Sequence, residues 1–380
     1  MKDIVLVNHR SQVPNKLTGI TRVTFSLLEA LIDRGNFDFV LATTWSKIQL
    51  PCKLRRGVTR VITVDRARPY SFNIVKQIFE NLGHKTGAAA ILNVDQIGLI
   101  RGGKARIFIA HDLYFKAIPS AISLTDRVQQ RYLIWPLMLR FNDRIACVSE
   151  NTQQDIQRFY PLHGWKAQVI GSGTNLRVAP AEPHPVLNSM KHPYLLYVGN
   201  VLPNKNIDTL TKALDIVMRR GLDIRAVHIG RDDQGLLKRA AAQMQFAPPP
   251  ITVGNISDGQ LRSFYANAFC LVNTSLYEGF CLPVAEAQEA GTPVICSRTP
   301  AVGETAGEAA LLFDPRSPLE LADHVQRLRG DSQLTQGLVA LGRENARRHS
   351  WPRAAERLEA LIFELLGRSS PLVGGPANQI

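Results

Sequence analysis

The carboxy-terminal half of the 380-residue chain alternates short apolar runs with helical patterns. The apolar runs are residues 224–229, 251–253, 270–272 and 294–296. They are separated by patterns of helical spacing, which include residues 208–219 and 258–266. Such alternation is typical of a parallel sheet covered by helices on both faces. Ligands of these sheets bind at the carboxyl ends of the strands, so the loops after the apolar runs are where we expect a functional site.

One of these loops carries two glutamates eight residues apart. Residues 273–291 read NTSLYEGFCLPVAEAQEAG and contain Glu278 and Glu286. The preceding apolar run predicts a buried strand, and Pro283 favours a helix that begins directly after the loop. A helix start offers unpaired backbone N–H groups and a positive dipole end, which suit a phosphate or a sugar hydroxyl. The spacing alone is also compatible with two ordinary surface glutamates.

A second loop places a lysine beside a predicted helix start. Residues 194–210, YLLYVGNVLPNKNIDTL, run from an apolar strand through Gly199 into a polar loop that contains Lys205. An amphipathic helix begins near Asn206. Backbone donors and one point charge are what a diphosphate requires. The alternative for Lys205 is a solvated loop lysine with no ligand.

The amino-terminal half is also predicted to be α/β. Gly19 ends a loop, and residues 17–28 carry apolar positions at helical spacing. Residues 107–112, IFIAHD, predict a buried strand that ends in His111 and Asp112. A single histidine at a strand end is more often packed or hydrogen-bonded than catalytic, so this pair supports a site only in combination with the other motifs.

Length and composition agree with two domains, because 380 residues with 45% hydrophobic content suit two ordinary cores. We expect no membrane span, since no apolar run reaches about 18 residues, and no signal peptide, since the apolar stretch at the amino terminus is only as long as a strand. Five scattered cysteines without paired spacing indicate a reducing cytoplasm. The predicted divisions are an amino-terminal domain at 1–177, a Pro-rich linker at 178–192, a carboxy-terminal domain at 193–350, a final helix at 351–366 and a flexible tail at 367–380.

The positive charge is confined to the amino-terminal half. Residues 1–180 hold 25 Lys and Arg against 12 Asp and Glu, whereas residues 181–380 hold 20 of each. Such a half could bind nucleic acid, an anionic bilayer or a phosphate-bearing acceptor, or could be a solvated basic face without a partner. The densest cluster comprises Arg55, Arg56, Arg60, Arg66 and Arg68.

The glutamate segment resembles the donor-site signature of the retaining family-4 glycosyltransferases. These enzymes have the GT-B fold, in which two Rossmann-like α/β domains face each other across a cleft. The resemblance implies that Glu278 holds hydroxyls of the transferred sugar and that Glu286 holds the nucleotide ribose. It also implies that the backbone of Gly279 and Phe280 lies against sugar and phosphate. The implied donor loop is completed by Cys281, Leu282 and Pro283.

Residues 194–210 resemble the diphosphate motif of the same family, which implies a role for Lys205 at the leaving group. Many relatives carry arginine where this chain has Asn204. Either one cation is sufficient, or Arg231 after the next strand supplies the second charge. The donor-binding set expected on this side is Gly199, Asn204, Lys205, Asn206 and Arg231.

Other family roles fall on both halves of the chain. The loop after residues 251–253 is implied to offer backbone groups of Gly254 and Ile256 to the nucleotide base. Gly19 is implied to abut the donor phosphate and the acceptor. The resemblance further implies that His111 contacts the donor sugar, and the adjacent Asp112 can orient its imidazole. In GT-B enzymes the terminal helix returns to the amino-terminal domain, which is the expectation for the final helix here.

The resemblance implies a metal-independent retaining hexosyltransferase in which Glu278, His111 and Lys205 carry catalysis. A nucleoside diphosphate is the leaving group, so electrostatic stabilisation is needed rather than a protein nucleophile. The pair Asp232 and Asp233 lacks the Asp-x-Asp spacing of metal-dependent glycosyltransferases, and no cofactor is expected. GDP-mannose is the best expected donor, with UDP-sugars and dTDP-rhamnose as alternatives.

The acceptor implied is a saccharide or a polyprenyl-diphosphate-linked saccharide of bacterial exopolysaccharide, capsule or lipopolysaccharide synthesis. We therefore expect a cytoplasmic protein bound peripherally to the anionic inner face of the membrane through its basic half, and no nucleic-acid partner. Two other classes stay open, namely a GT-B sugar-nucleotide epimerase and a basic nucleic-acid-binding module. An NAD dehydrogenase is disfavoured because no glycine fingerprint follows the first strand.

Overall fold

The computed structural model of the protein describes residues 2–10, 19–64, 77–95, 97–119, 122–174, 176 and 179–370. Arg66 and Arg68 of the basic cluster and residues 371–380 of the predicted tail lie outside the described residues.

The amino-terminal half builds a seven-stranded sheet in which all neighbouring strands are parallel. The strands are β1 (Ile4–His9), β2 (Asp38–Thr43), β3 (Arg60–Thr63), β4 (Ala90–Asn93), β5 (Ala105–Ala110), β6 (Arg144–Cys147) and β7 (Ala167–Val169). Their spatial order is β3-β2-β1-β4-β5-β6-β7. The strand order reverses between β1 and β4. The loops that follow these two strands therefore run in opposite directions and open a crevice at the carboxyl edge of the sheet.

Helices of this half flank the sheet. They are α1 (Gly19–Arg34), α2 (Cys52–Gly57), α3 (Leu82–Thr86), α4 (Tyr114–Ala117), α5 (Leu124–Gln129), α6 (Trp135–Phe141) and α7 (Glu150–Phe159). A π-helical segment, Gln130–Ile134, makes α5 and α6 continuous. Short 3-10 segments occur at Lys47–Gln49 and Pro161–Lys166.

The carboxy-terminal half builds a six-stranded sheet that is also parallel at every pair. The strands are β8 (Tyr194–Val198), β9 (Arg225–Ile229), β10 (Ile251–Val253), β11 (Cys270–Asn273), β12 (Val294–Ser297) and β13 (Leu311–Phe313). The order is β10-β9-β8-β11-β12-β13. Strands β8 and β11 are therefore neighbours, although about 70 residues separate them along the chain.

The helices of the carboxy-terminal half cover both faces of its sheet. They are α8 (Pro185–Ser189), α9 (Ile207–Arg219), α10 (Leu236–Ala241), α11 (Asp258–Asn267), α12 (Leu282–Ala290), α13 (Pro300–Ala306), α14 (Pro318–Gly330) and α15 (Ser332–Ala346), with a 3-10 turn at Pro203–Lys205; the chain continues into a last helix, α16 (Trp351–Leu365). Successive residues of β8 point to opposite faces of the sheet. Leu195 packs in the hydrophobic cluster with α9 and α14, and Leu196 packs in the cluster with α11 and α12.

The last helix, α16, packs on the amino-terminal half. Trp351, Leu358 and Ile362 are buried in the same cluster as residues of β1 and α1. The Glu359 carboxylate is fully buried and accepts from the Arg34 guanidinium at 2.7 Å. A buried carboxylate needs such a partner, so this contact joins the chain's end to its beginning.

Element boundaries differ from the sequence predictions in several places. The strand predicted at 107–112 ends at Ala110, so His111 and Asp112 lie in the following loop. The segment predicted as a linker includes α8, a short helix begun by a proline. Among the described helices, none is both long enough and apolar enough to cross a bilayer.

Candidate functional site

Lys205 and Glu278 form an ion pair at the carboxyl edge of the second sheet. Lys205 follows β8 and Glu278 follows the neighbouring strand β11, so the sheet order brings them together. The Lys205 ammonium and the Ser275 hydroxyl, at 2.7 Å, both donate to the same Glu278 oxygen. Burial is the largest single cause and lowers the pKa of Lys205, but the charge and hydrogen bond of Glu278, together with the charges of Cys281 and Asp112, outweigh it, and the pKa is raised. Lys205 is therefore held as a cation.

Asp112 joins this pair from the amino-terminal half. Burial raises the pKa of its carboxyl, and the backbone N–H of Tyr114, which donates to it at 3.2 Å, partly opposes the rise. The charges of Glu278 and Lys205 act on the same carboxyl, in opposite directions. The Asp112, Glu278 and Lys205 side chains thus form one cluster of charges supplied by both halves of the chain.

The His111 ring is fixed from behind. Its Nε2 lies 2.8 Å from the Val94 carbonyl oxygen, which can only accept, so Nε2 carries a proton and donates. His111 and Asp112 follow β5 directly, and Val94 follows β4, the strand beside it. The Val94 carbonyl therefore orients the ring, whereas the sequence prediction gave this role to Asp112.

At Gly279 the backbones of the two halves lie close together. A Cβ atom added there would lie 1.7 Å from the His111 carbonyl oxygen and 3.0 Å from the Asp112 Cβ. The Gly279 carbonyl accepts from the hydroxyls of Ser149 and Thr152, which begin α7. Only glycine fits this contact, so the donor loop is clamped against the amino-terminal half.

The rest of the predicted donor loop shapes the start of α12. Cys281 has a left-handed backbone conformation with φ of 83°, and the helix begins at Leu282 with Pro283 in its first turn. Phe280 is buried, with its ring 5.1 Å from that of His349. Pro283 has no N–H and the Val284 N–H donates to the Cys281 carbonyl at 3.1 Å, so the Leu282 N–H is the first-turn donor that remains for a ligand.

Glu286 is the second predicted carboxylate, and its contacts include a residue that sequence reasoning missed. The side chain lies one turn into α12 and is buried. The Tyr265 hydroxyl donates to it at 2.9 Å, and the guanidinium of Arg22 at 3.1 Å. Arg22 also donates to Asp258 at 2.6 Å. Because Arg22 lies on α1, a cation from one half bridges two carboxylates of the other.

Burial raises the pKa of Glu286, while Arg22 and the Tyr265 hydrogen bond oppose the rise. The position of Arg22, three residues after the glycine expected to abut the donor, was a signal available in the sequence. Its partner was not, because 264 residues separate Arg22 from Glu286.

Several predicted donor residues are occupied in contacts within the chain. The Asn204 amide donates to the Tyr277 carbonyl at 3.2 Å, which ties the lysine loop to the glutamate loop. Asn206 has φ of 51° and donates to the Pro315 carbonyl at 2.6 Å. Arg231 pairs with Asp233 at 3.1 Å and does not contact the Glu278 cluster in the described structure.

The remaining predicted residues lie at the rim of the second sheet. Gly199 follows β8 with φ of 132°, and its carbonyl accepts from His228 Nε2 at 2.8 Å. Gly254 is exposed, and Ile256 after it is partly buried against the core. On the other half Gly19 is exposed at the start of α1. A Cβ added at Gly19, Gly199 or Gly254 would meet no atom within 4 Å, so the space next to these glycines is open.

A cavity of about 350 Å³ opens beside Glu278. Its lining combines Tyr277 and Glu278 with Lys116, Asn151 and Asp155 from the amino-terminal half. The Tyr277 hydroxyl donates to Asp155 at 2.5 Å and accepts from the Leu113 N–H at 3.1 Å. Burial is the main cause that raises the pKa of Asp155.

Glu304 adds another contact between the halves, since its carboxylate accepts the N–H groups of Glu150 and Asn151 at 2.8 and 2.9 Å. This carboxylate sits at the amino terminus of α7, where the helix dipole favours negative charge. Within the described residues, no group of three or more His, Cys, Asp or Glu side chains is arranged to hold a metal ion.

Comparison with known proteins shows what the carboxy-terminal half is similar to. Residues 180–345 match the family model described as glycosyl transferases group 1. The O-antigen chain mannosyltransferase B of Escherichia coli is 31% identical over 183 residues, which cover 46% of this chain and 47% of the relative. The O-antigen chain mannosyltransferase RfbU of Salmonella typhimurium is 24% identical over 326 residues, 82% of this chain and 87% of the relative. The chain thus spans about half the length of the first relative.

Solved structures match nearly the whole chain. Anabaena Alr3699/HepE in complex with UDP-glucose has a TM-score of 0.75 at 16% identity, over 96% of this chain and 99% of that one. WaaG, a glycosyltransferase involved in lipopolysaccharide biosynthesis, has a TM-score of 0.71 at 15% identity, over 94% and 99%. The predicted GT-B fold is confirmed by these matches. Residues 180–345 are therefore similar to the glycosyl transferases group 1 family, and the chain has the GT-B fold.

Proposed function

We propose that this protein is a retaining, metal-independent hexosyltransferase that transfers mannose from GDP-mannose. The acceptor is a saccharide or a polyprenyl-diphosphate-linked saccharide in bacterial surface-polysaccharide synthesis. The observation that carries the proposal is the Asp112, Glu278 and Lys205 cluster, which lies between the two halves beside the start of α12. The mannosyltransferase names of the relatives support the choice of sugar.

In this proposal the donor diphosphate replaces Glu278 as the partner of Lys205. The ammonium and the Leu282 N–H at the start of α12 then face the phosphate oxygens, which gain negative charge as the sugar departs. Glu278, released from Lys205, accepts hydrogen bonds from hydroxyls of the sugar. Glu278 thus keeps Lys205 charged before the donor binds and holds the sugar afterwards.

At the other end of the donor, Glu286 receives the ribose hydroxyls. Arg22 and Tyr265 already bond this carboxylate, so the ribose exchanges with Arg22 while Asp258 retains the guanidinium. Donor binding thus breaks the Arg22–Glu286 bond, which is a contact between the halves, so this bond should be present in the free protein and absent in the donor complex.

The chemical step breaks the bond between the anomeric carbon and the departing phosphate oxygen. The acceptor hydroxyl forms its new bond to that carbon on the same face, and its proton passes to the departing diphosphate. No protein nucleophile takes part in this step. His111, oriented by the Val94 carbonyl, contacts the sugar on the acceptor side.

The donor is tested by thermal shift with GDP, UDP and dTDP, because a ligand that binds the native state raises the melting temperature by mass action. GDP is expected to stabilise the protein most. Reaction with GDP-mannose and a lipid-linked saccharide should give an α-mannoside, detected by NMR of the anomeric proton. An inverted product would contradict retention, and stabilisation by UDP alone would move the proposal to a UDP-sugar.

We also propose that the protein works in the cytoplasm, bound peripherally to the inner face of the membrane. The excess of basic residues in the amino-terminal half supports this location. Flotation with anionic and neutral vesicles tests it. Salt-sensitive recovery with anionic vesicles only is the expected result, and equal recovery with both would remove the membrane contact.

A further inference from the structure

A groove of about 360 Å³ lies on the amino-terminal half, on the continuous helix formed by α5, the π-helical segment and α6. Three large apolar side chains lie exposed along this helix at four-residue spacing. Leu124 is 66%, Val128 47% and Tyr132 69% exposed. Neighbouring positions on one helix face form a continuous stripe, and exposed apolar patches of this kind mark interaction sites. We call these residues the apolar stripe.

Cations line the same groove. Lys116, Arg127 and Arg131 all contribute to its wall. None of the three pairs with a carboxylate among the described residues, and the Asp126 carboxylate on this helix accepts from the Ser123 hydroxyl at 2.6 Å. After burial, the charge of Arg131 is the second cause that lowers the pKa of Lys116. Like charges left together without a counter-ion are typical of an anion site.

The groove has a rigid base. The buried Phe115 ring packs against Trp135 with ring centres 5.7 Å apart, and Trp135 stacks on Tyr160 at 6.0 Å. The Lys116 ammonium lies 4.9 Å from the centre of the Tyr160 ring. The lysine is therefore positioned by aromatic contacts before any ligand arrives.

The groove is connected to the proposed catalytic centre. Lys116 lines both this groove and the cavity that contains Glu278. A ligand whose phosphate lay at Lys116 would extend one end along the apolar stripe and the other toward Glu278. A flat bilayer surface uses neither the concave shape nor this connection, so both observations favour a single amphiphilic molecule.

We propose that the groove binds the lipid phosphate of the acceptor, with the apolar chain on Leu124, Val128 and Tyr132 and the phosphate or diphosphate among Lys116, Arg127 and Arg131. This site rests on the proposed function, since it orients the attached saccharide toward Glu278. It also defines the acceptor class as one with an apolar chain directly linked to phosphate.

Titration calorimetry of the full chain with farnesyl diphosphate, inorganic diphosphate and farnesol tests the proposal. Farnesyl diphosphate should bind most tightly. Arg131→Gln should weaken its binding about tenfold, the scale of one lost charge-assisted contact. Tyr132→Ser should weaken the binding of farnesyl diphosphate several-fold and leave the binding of inorganic diphosphate unchanged, because only the farnesyl chain contacts the Tyr132 ring. Arg56→Gln, an exposed cation beside the far edge of the sheet, is the matched control and should change neither.

Equal binding of farnesyl diphosphate to wild type, Arg131→Gln and Tyr132→Ser would overturn the site. Binding to anionic vesicles without any binding of monomeric farnesyl diphosphate would also overturn it, in favour of a bilayer surface. GDP stabilisation of the same preparations reports separately on the proposed function. If GDP binds and farnesyl diphosphate does not, the groove assignment alone fails.

Discussion

Replacing Glu278 by glutamine removes one charge of the Lys205 pair while keeping the side-chain shape. Loss of one partner of a fully buried ion pair costs about 3–5 kcal/mol. Glu278 and Lys205 keep 13% and 18% exposure, and the glutamine oxygen still accepts hydrogen bonds from Lys205 and Ser275. We therefore expect the free energy of unfolding to fall by about 1–2 kcal/mol.

Such a loss corresponds to a melting temperature lower by about 3–6 °C for a domain of this size. The same substitution should tighten GDP binding about three- to tenfold, since the diphosphate no longer competes with Glu278 for Lys205. Transfer from GDP-mannose should nevertheless fall at least about a hundredfold, because the sugar hydroxyls lose the charged carboxylate of Glu278 as their hydrogen-bond partner. We therefore expect lower stability, tighter GDP binding and lost turnover together.

Calorimetric unfolding measures the stability, titration with GDP measures the affinity, and a transfer assay of the same preparation measures the turnover. Glu320→Gln is the matched control, because Glu320 pairs with an exposed arginine at 2.8 Å and surface pairs contribute little. If Glu278→Gln is as stable as wild type and binds GDP no more tightly, the exchange of Glu278 for diphosphate at Lys205 is wrong.

Four other predictions follow from the same contacts. Lys205→Ala should weaken GDP binding at least about tenfold, and an unchanged titration would remove Lys205 from the diphosphate site. Arg22→Met should raise the already raised pKa of Glu286 further. A carboxyl whose folded pKa is raised above its unfolded value destabilises the fold progressively as the pH rises above the unfolded pKa, and the penalty is complete above the folded pKa, so the loss of stability should be larger at pH 8 than at pH 5; an equal loss at both pH values would contradict the assignment. Gly279→Ala should separate the halves and abolish transfer, with a stability loss of about 1–3 kcal/mol; normal activity would show that the contact with His111 is dispensable. Full turnover in EDTA is expected, and loss restored by Mg²⁺ or Mn²⁺ would refute metal independence.

The carboxy-terminal half was the more predictable one, for a physical reason. Its strands are short apolar runs that end in polar loops, so Lys205 and Glu278 could be placed at strand ends from local pattern alone. Strand order was not encoded locally, and it is the adjacency of β8 and β11 that pairs these side chains.

In the amino-terminal half, sequence reasoning did not identify β2, β3 and β4. Strand β3 carries partly exposed residues with a charged first position, and β4 follows a run of alanines that reads equally well as helix. Propensity therefore gave no clear signal, and pairing with β1 decides the conformation.

Contacts between the halves were the least predictable part of the site. Arg22 with Glu286 and Glu304 with the start of α7 join positions more than 150 residues apart. Each residue alone resembles an ordinary surface charge, and only the packed cleft gives it a partner. The same is true of the His111 carbonyl, whose proximity makes a glycine necessary at position 279.

The most direct measurement is a crystal structure of the protein with GDP-mannose bound. The diphosphate should lie within hydrogen-bonding distance of Lys205 Nζ and the first turn of α12, with Glu278 on the sugar hydroxyls and Glu286 on the ribose in place of Arg22. A nucleotide bound elsewhere, with the Glu278–Lys205 and Arg22–Glu286 pairs intact, would contradict the account.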